Sequence, residues 1–271
     1  MALREDIGPG DVTSTYFVPA DRQARAVALV KAEGVIAGLE VARRVFEKVD
    51  QSLKISLTAE DGEHVEHGSK VMSIEGSARS ILTAERTALN FLQRLSGVAT
   101  KTRSFVDAVK GTEAKVLDTR KTTPGWRVLE KYAVLAGGGR NHRMGLYDRA
   151  MVKDNHLVAE GALVRLQSAI DQLKDEKPGV EVELEVDTLE QFEAFLGLNG
   201  VDYILLDNMS NKELRTAVKM RNDVTPYLEA SGGVNLETIK AIAQTGVDYI
   251  SVGAVTHSAV ALDISLDFQT L

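Results

Sequence analysis

Positive charge is concentrated in one part of this sequence. Residues 119–157 hold eight Lys or Arg residues against three acids, in a chain of 271 residues whose formal net charge is −7. The basic residues are Arg120, Lys121, Arg127, Lys131, Arg140, Arg143, Arg149 and Lys153. Arg and Lys form charge-assisted hydrogen bonds to carboxylates and phosphates, each worth about 1.5–3 kcal/mol. The cluster therefore predicts a small ligand that carries several negative charges.

Six short apolar runs in the second half of the chain each end in polar residues or glycines. The runs lie at 115–118, 150–153, 180–186, 203–206, 227–230 and 249–252. The residues that end or follow them are Thr119, Arg120, Lys121, Lys153, Asp154, Asn155, His156, Glu185, Asp187, Asp207, Asn208, Ser231, Gly232, Gly233, Gly253 and Ala254. Ligand sites of α/β barrels lie where the strands end, so these residues are predicted to meet around one pocket.

Two groups among these endings suit a phosphorylated, metal-associated substrate. The segment Ser231-Gly232-Gly233 precedes a predicted helix opened by Asn235 and Glu237, which would form a backbone-amide cradle for phosphate. Glycines there allow close approach of the backbone, because they lack Cβ. Glu185 and Asp207, on separate strands, are predicted to hold Mg²⁺ together with substrate phosphates.

Simpler interpretations compete for several of these residues. Arg127 and Lys131 are four residues apart, which favours a solvated helix face, and an isolated His142 is more often structural. The run 137–139 (GGG) indicates only a flexible or tight loop, since it is not a dinucleotide-binding fingerprint. Lys153 after a strand also fits the Schiff-base lysine of an aldolase, because neighbouring cations could lower its pKa.

The run at 180–186 alternates acidic and apolar residues, continuing to Asp187. Its acids Glu181, Glu183, Glu185 and Asp187 share one face of the predicted strand. In a barrel strand they would need cationic partners, such as Lys121 or Lys153.

Alternation of strand and helix predicts an α/β fold with a parallel sheet. Helices are predicted at 191–198, 211–220 and 236–245, between the last four strands. Six strands are visible and one could be hidden, so an incomplete α/β barrel is predicted. An open doubly wound sheet is the alternative.

The first part of the chain is mixed. Strands are predicted at 25–36, 53–58 and 70–74, with a helix at 39–49. A long helix is predicted to begin near Ile81, with a buried stripe of residues at steps of three and four. Gly97 either lies inside this helix, at a cost of about 1 kcal/mol, or marks a break.

Composition excludes several classes of protein. The absence of cysteine excludes disulfides, thiolate catalysis and Cys-ligated metal sites, and it fits a cytoplasmic location. No run of about 18 apolar residues predicts a membrane span, and the charged N-terminus does not resemble a secretory signal. The acidic balance disfavours nucleic-acid binding.

Five segments of the sequence closely resemble the quinolinate phosphoribosyltransferase family. They are EDIGPGDVTS, TRKTTPGWR, GGGRNHRMGLYDRAMVKDNH, LLDNM and EASGGV. The resemblance implies joining of quinolinate to phosphoribosyl pyrophosphate, giving nicotinate mononucleotide, pyrophosphate and CO₂ for NAD biosynthesis. It also implies an N-terminal α/β sandwich domain, here 1–108, and an incomplete α/β barrel domain, here 109–271. Family members are homodimers or higher assemblies, in which the N-terminal domain of one subunit covers the barrel mouth of its neighbour.

The resemblance also implies roles for individual residues. Catalytic roles would fall to Lys121, Lys153, Glu185 and Asp207, with Glu185 and Asp207 near the ribose and Mg²⁺. Substrate would be bound by Arg86, Thr119, Arg120, Lys121, His142, Arg143, Lys153, Glu185, Asp207, Ser231, Gly232, Gly233, Ser251 and Gly253. Arg86 resembles an arginine that family members contribute across the dimer interface. No organic cofactor is expected, because the ribosylated pyridinium ring can accept the electrons released with CO₂.

Three alternatives remain open from the sequence. The first is a relative of the molybdenum-locus type, acting on another base. The second is the Schiff-base aldolase centred on Lys153, and the third is a purely binding or structural role. The DNM ending at 207–209 differs from the acidic pair followed by Thr that marks the other large phosphoribosyltransferase class.

Overall fold

A computed structural model describes residues 1–153, 162–221 and 225–269. The chain forms two compact units. The first consists of Met1–Arg103, Leu129–Gly138 and Ser258–Leu271, and the second of Ser104–Val128 and Gly139–His257. The predicted boundary after residue 108 stays a prediction, because compactness groups separate segments and does not define one point of division.

The helices and strands alternate along most of the chain. The helices are α1 (Ala2–Ile7), α2 (Val12–Phe17), α3 (Leu39–Val49), α4 (Ala78–Ala108), α5 (Arg127–Ala136), α6 (Ala162–Glu176), α7 (Leu189–Leu196), α8 (Asn211–Met220), α9 (Ile239–Ala243) and α10 (Ala254–His257). The strands are β1 (Gln23–Val30), β2 (Gly34–Val35), β3 (Lys54–Leu57), β4 (His64–Val65), β5 (Lys70–Ser77), β6 (Lys115–Leu117), β7 (Arg149–Val152), β8 (Glu181–Val186), β9 (Tyr203–Asp207), β10 (Tyr227–Ser231), β11 (Tyr249–Ser251) and β12 (Ile264–Gln269). No helix among the described residues is long and apolar enough to cross a membrane.

The first unit contains a four-stranded antiparallel sheet in the order β12-β1-β5-β3. One face of β1 contributes alanines to the core, and the amphipathic helix α3 buries Leu39 and Phe46 in the same core. The loop residue Asp61 accepts hydrogen bonds from the backbone N–H groups of Gly38 and Leu39, at 3.0 and 3.1 Å. A carboxylate at this end stabilises α3, because the first N–H groups of a helix have no partner within it.

The predicted strand at 25–36 is wrong as a single element. The chain leaves the sheet after β1, and the short strand β2 pairs instead with β4. Gly34 passes so close to α4 that a Cβ at its position would lie 2.6 Å from Thr100 Oγ1. The backbone N–H of Val35 donates to that hydroxyl at 2.8 Å. The apolar run at 25–36 therefore forms two strands instead of one, because its second half contacts helix α4, which is distant in the sequence.

Helix α4 begins at Ala78 and runs through Gly97 without a break. Its predicted stripe is buried, with Ile81, Ala84 and Leu95 each fully inaccessible. Gly97 is required by packing, because a Cβ there would lie 2.1 Å from the carbonyl oxygen of Val260.

The six predicted strands of the second half are confirmed, and all of them are parallel. Their order is β6-β11-β10-β9-β8-β7. The last strand, β11, pairs with the first, β6, so the order does not reverse in the middle of the sheet as it does in a doubly wound fold. An isolated bridge between Leu117 and Arg140 continues from the other edge of β6. This topology is that of the incomplete α/β barrel.

The crossover helices differ in how closely they follow prediction. Helix α8 spans the predicted residues, and Ser210 and Glu213 form a capping box at its start. Helix α9 is shorter than predicted, because the Asn235 side chain accepts hydrogen bonds from the N–H groups of Glu237 and Thr238 at 2.9 and 3.0 Å. A turn therefore takes the place of the first helical residues.

Candidate functional site

One cavity of about 340 Å³ lies within the second unit, and thirteen side chains line it. Ten of them were predicted from the sequence: Thr119, Arg120, Lys121, His142, Arg143, Lys153, Glu185, Asp207, Ser231 and Ser251. Three others were not: Met151, Leu205 and Glu229. Residues from all six parallel strands, or from the segments directly after them, meet at this cavity.

Strand register explains the convergence. Ser231 pairs with Asp207, Glu185 pairs with Leu205, and Ser251 pairs with Leu117. These positions lie at or near the carboxyl ends of parallel strands, which share one edge of the sheet. The predicted residues Asp154, Asn155 and His156 lie outside the described residues. Arg86 lies on α4 in the first unit, where it is exposed.

Two arginines that line the cavity lack a hydrogen-bonded carboxylate partner among the described residues, which suits the binding of an anionic ligand. Within the described part of the chain, Nε of Arg120 is buried and has no hydrogen-bond partner. Arg143 donates to the carbonyl oxygen of Arg149 and to Sδ of Met151, both at 3.3 Å. Burial lowers the pKa of Arg143, and the charge of Arg120 lowers it further. A bound anion would relieve both penalties.

Lys153 and Glu185 form an ion pair at the cavity. Nζ of Lys153 lies 2.6 Å from Oε2 and 2.9 Å from Oε1 of Glu185. This ion pair confirms Lys153 as one of the cationic partners that were predicted for the acids of the strand at 180–186. The arrangement suits an ion pair and does not present Lys153 for attack on a carbonyl group.

The next acid of that strand, Glu183, is fully buried and has different partners from those predicted. Arg149 NH1 lies 3.6 Å from Glu183 Oε2, and its NH2 lies 2.7 Å from Oε2 of Glu181. The guanidinium also stacks on the ring of Tyr203, with 4.0 Å between Cζ and the ring centroid. The cationic partner of Glu183 is therefore Arg149, at the start of β7, and not Lys121 as predicted.

His142 lies above a pair of buried acids. Its Nδ1 accepts a hydrogen bond from the backbone N–H of Arg143 at 2.7 Å. This assigns the ring hydrogen to Nε2, which lies 3.1 Å from Oε2 of Glu183 and 3.5 Å from Oε2 of Glu229. The backbone N–H of His142 donates to Asp118 Oδ1 at 2.8 Å. His142 is thus both a cavity residue and part of a buried polar network.

The pKa values of the two acids are shifted in opposite directions. Burial raises the pKa of Glu229 well above its ordinary value, and the charge of Glu183 raises it further. Burial also pushes up the pKa of Glu183, but the hydrogen bond from His142 and the charge of Arg149 outweigh it, so that this pKa is lowered. Glu229 is therefore the acid of the pair whose neutral form is favoured, and it also accepts a hydrogen bond from the Ser251 hydroxyl.

The three buried polar residues His142, Glu183 and Glu229 place their ligand atoms within 4.8 Å of one another. Glu229 was missed from the sequence, although an acid inside the apolar run YLEA is a signal of a buried functional or structural carboxylate. Its proximity to Glu183 depends on the order of the strands in the sheet, which cannot be predicted from this apolar run alone.

The predicted phosphate loop follows β10. Gly232 and Gly233 have positive φ values of 93° and 59°, a conformation that favours glycine. The loop does not open directly into a helix, because the turn at Asn235 precedes α9. Gly253, after β11, approaches the side chain of Lys121, and a Cβ there would lie 3.0 Å from Lys121 Cδ.

The solvated helix face predicted for Arg127 and Lys131 is wrong. Lys131 is 1% exposed, on the face of α5 that also buries Ala133 and Val134. Arg127 donates to Oγ1 of Thr122 at 3.1 Å and to the carbonyl oxygen of Met144 at 2.9 Å. Arg127 is therefore held by the loops beside the cavity, and Lys131 is buried, so neither residue lies on a solvated helix face.

Sequence comparison agrees with the geometry. The model of the quinolinate phosphoribosyl transferase N-terminal domain matches residues 11–96, and that of the C-terminal domain matches residues 98–267. The chain belongs to the quinolinate phosphoribosyltransferase family. The family predicted from the sequence is thereby confirmed.

Individual relatives match the chain over nearly all of its length. It is 44% identical over 286 residues to the nicotinate-nucleotide pyrophosphorylase (carboxylating), chloroplastic, of Arabidopsis thaliana, covering 100% of this chain and 81% of that protein. It is 44% identical over 271 residues to the nicotinate-nucleotide pyrophosphorylase (carboxylating) of Mycobacterium leprae, covering 98% and 94%. The crystal structure of NadC from Streptococcus pyogenes matches with a TM-score of 0.91 and 41% identity, covering 100% of this chain and 94% of that one. These matches confirm the predicted α/β fold of this quinolinate phosphoribosyltransferase family member.

Proposed function

We propose that this chain transfers the phosphoribosyl group of phosphoribosyl pyrophosphate to quinolinate with loss of CO₂. The products are nicotinate mononucleotide and pyrophosphate, in the synthesis of NAD. The observation that carries the proposal is the cationic cavity at the strand ends of a chain that matches this family over both domains. The relatives described above are named for this reaction and not for another base, an aldol cleavage or a binding role.

The chemistry requires two anions to be held together. Quinolinate has two carboxylates, and the donor has a phosphate and a pyrophosphate, so the two repel each other in water. Arg120, Lys121 and Arg143 line the cavity and offset that repulsion through charge-assisted hydrogen bonds, which are stronger than hydrogen bonds between neutral groups. Binding then brings the ring nitrogen and the anomeric carbon together, which replaces a bimolecular encounter with a step inside one complex.

Glycosyl transfer develops positive charge on the ribose as pyrophosphate departs. Asp207 and Glu185 line the same cavity, and their carboxylates can stabilise that charge, as in other oxocarbenium-like reactions. Lys153, paired with Glu185, can move to a substrate oxygen when the ligand enters. Lys121 and the Ser231–Gly233 loop, with Ser251 and Gly253, are proposed to hold the phosphate groups.

The donor set at the strand ends also fits Mg²⁺. Asp207 and Glu185 are carboxylates from neighbouring strands that line one cavity, and Mg²⁺ is usually bound by one or two carboxylates plus substrate phosphates. A bound Mg²⁺ would neutralise charge on the pyrophosphate leaving group. No organic cofactor is needed in this proposal, because the N-ribosylated ring stabilises the electron pair left when the adjacent carboxylate departs as CO₂.

We propose a homodimer, or an assembly of such dimers, with shared active sites. Arg86 is exposed on α4 and corresponds to the arginine that the family resemblance assigns to a neighbouring subunit. Neither a nucleic acid nor a membrane is proposed as a partner. A cytoplasmic location is proposed from the acidic, cysteine-free composition.

A panel of substrates tests the function. The protein is incubated with phosphoribosyl pyrophosphate, Mg²⁺ and one of quinolinate, nicotinate, other pyridine acids or purine acids, and nucleotide products are separated. Quinolinate is expected to be the preferred acceptor, with nicotinate mononucleotide as product. Turnover of another acid in preference to quinolinate, or none with folded protein, would contradict the proposal.

A further inference from the structure

Asn208 has an unusual backbone conformation beside the cavity. Among the described residues it is the only one other than glycine with a positive φ, at 54°. It follows Asp207 directly at the end of β9. Asn adopts this region more readily than most residues, but glycine adopts it without steric cost. Conformation alone therefore does not require a side chain here.

The side chain of Asn208 contacts two parts of the proposed donor site. Its Nδ2 donates a hydrogen bond to Oδ2 of Asp207 at 2.8 Å. On the other side, a Cβ placed on Gly232 would lie 2.1 Å from Oδ1 and 2.6 Å from Cγ of Asn208. The amide thus lies between the Asp207 carboxylate and the backbone of the Ser231–Gly233 loop.

The backbone of Asn208 fixes the same arrangement. Its N–H donates to the carbonyl oxygen of Ser231 at 2.9 Å, continuing the parallel ladder in which Ser231 pairs with Asp207. The positive φ turns the chain at this point, and the amide stays against the neighbouring loop. A carboxylate accepts hydrogen bonds best when its donors are fixed, so this amide restricts the rotation of Asp207.

We propose that Asn208 is a positioning residue, whose side-chain amide orients Asp207 and sets its distance from the Ser231–Gly233 loop. The inference deepens the proposed function, because it assigns to Asn208 the alignment of the donor's ribose relative to its phosphate. Gly232 contributes to this arrangement, because only a residue without Cβ leaves space for the Asn208 amide.

Two substitutions separate the amide from the backbone conformation. Asn208→Gly keeps the positive φ but removes the amide, so the unfolding temperature is expected to stay at or above that of the unaltered protein. Asn208→Asp keeps the shape but places a second carboxylate beside Asp207. Both variants are expected to lower kcat/KM for phosphoribosyl pyrophosphate about tenfold or more, as loss of a hydrogen bond to a charged group predicts.

Weaker binding of one substrate but not of the other is a result that a purely structural role of Asn208 would not give. Binding of pyridine-2,3-dicarboxylate, measured by calorimetry, is expected to change less than twofold in both variants, whereas binding of phosphoribosyl pyrophosphate with Mg²⁺ weakens. Asn199→Asp is a matched control, since Asn199 is exposed after α7, and it should leave both affinities unchanged.

A double-mutant cycle tests the contact with Gly232. Gly232→Ala meets the Asn208 amide, and in either background it is also strained at φ 93° and lies 2.9 Å from the backbone N of residue 208, so only the part of its effect that is due to the amide is expected to disappear in the Asn208→Gly background. The inference is overturned if Asn208→Gly binds the donor within twofold of the unaltered protein, or if both ligands weaken equally as stability falls. These binding results decide about Asn208 even if no turnover is found, whereas absent turnover with intact ligand binding contradicts the proposed function.

Discussion

At the scale of single residues, the unexpected feature is a pair of buried carboxylates beneath a cavity for anions. Two charged carboxylates there would oppose the proposed ligands. Arg149 compensates the charge of Glu183 and His142 donates a hydrogen bond to it, and burial raises the pKa of Glu229, which favours its neutral form. The pair therefore accepts the Nε2 hydrogen of His142, and the raised pKa of Glu229 limits the negative charge beneath the cavity.

Isosteric substitutions of the two acids should have opposite effects on stability. Glu229→Gln resembles the protonated acid, so its free energy of unfolding is expected to match that of the unaltered protein within about 1 kcal/mol near pH 4 and to be the higher of the two at neutral pH. Glu183→Gln removes the carboxylate beside His142 and leaves Arg149 paired with Glu181 alone, so it should cost about 3–5 kcal/mol, as for a broken buried ion pair. Urea unfolding of both variants measures the difference. Equal losses would contradict the raised pKa of Glu229.

The pH dependence of stability provides a second check on Glu229. Its pKa is raised in the folded protein, so the unfolded chain releases this proton first as pH increases. The stability that this group contributes is complete below its unfolded pKa of about 4.3, and it decreases as pH rises toward the folded pKa. Glu229→Gln removes that decrease, so its stability relative to the unaltered protein should improve from pH 4 to pH 8. A constant difference over that range would contradict the raised pKa.

Arg143 is expected to contribute to activity and not to stability. Its hydrogen bonds go to a carbonyl oxygen and a sulfur atom, and burial disfavours its charge. Arg143→Ala should reduce kcat/KM at least a hundredfold, about 2.7 kcal/mol, with little change in the unfolding temperature. Steady-state kinetics and thermal unfolding are measured beside the exposed control Lys219→Ala. A large fall in unfolding temperature for Arg143→Ala alone would indicate a structural role.

At the scale of secondary structure elements, local sequence determined some features and distant contacts determined others. Helices α3 and α8 were predicted with their observed bounds, because apolar spacing and capping residues agree. The division of the strand predicted at 25–36 depends on Thr100 and was not predictable locally. The C-terminal strand β12 was not predicted, and it joins the sheet of the first unit beside β1.

Gly97 provides a test of packing against helix propensity. In an isolated helix, Gly→Ala would be stabilising by about 1 kcal/mol. Here a Cβ would lie 2.1 Å from Val260 O, so Gly97→Ala should destabilise the protein by about 1–3 kcal/mol. Gly179→Ala is the matched control, since a Cβ there meets nothing within 4 Å. A stabilising Gly97→Ala would contradict the close approach.

At the scale of the whole molecule, the charge pattern was the most informative signal. The six strand ends predicted a shared anion site, and ten of the predicted side chains line one cavity. Strand order could not be derived from the runs themselves, so the partners of Glu183 and the participation of Glu229 were not predicted. The placement of Arg86 depends on a second subunit and stays a prediction.

Subunit mixing tests the proposed shared site. Arg86→Ala and Lys153→Ala should each be inactive alone, because each removes a group from every site. A heterodimer of the two would contain one intact site, so random exchange should restore about a quarter of the unaltered activity. Activity and native mass spectrometry are measured on the same mixture. Heterodimers without restored activity would show that Arg86 does not act across the interface.

The most direct test of the central claim, that one cationic cavity joins two mutually repelling acids, is the stoichiometry of CO₂ release. Quinolinate labelled with ¹³C in the 2-carboxylate is incubated with the protein and Mg²⁺, with and without phosphoribosyl pyrophosphate. We expect labelled CO₂ and nicotinate mononucleotide in equal amounts, and neither without the donor. Labelled CO₂ without the donor, or nucleotide that retains the label, would contradict the account.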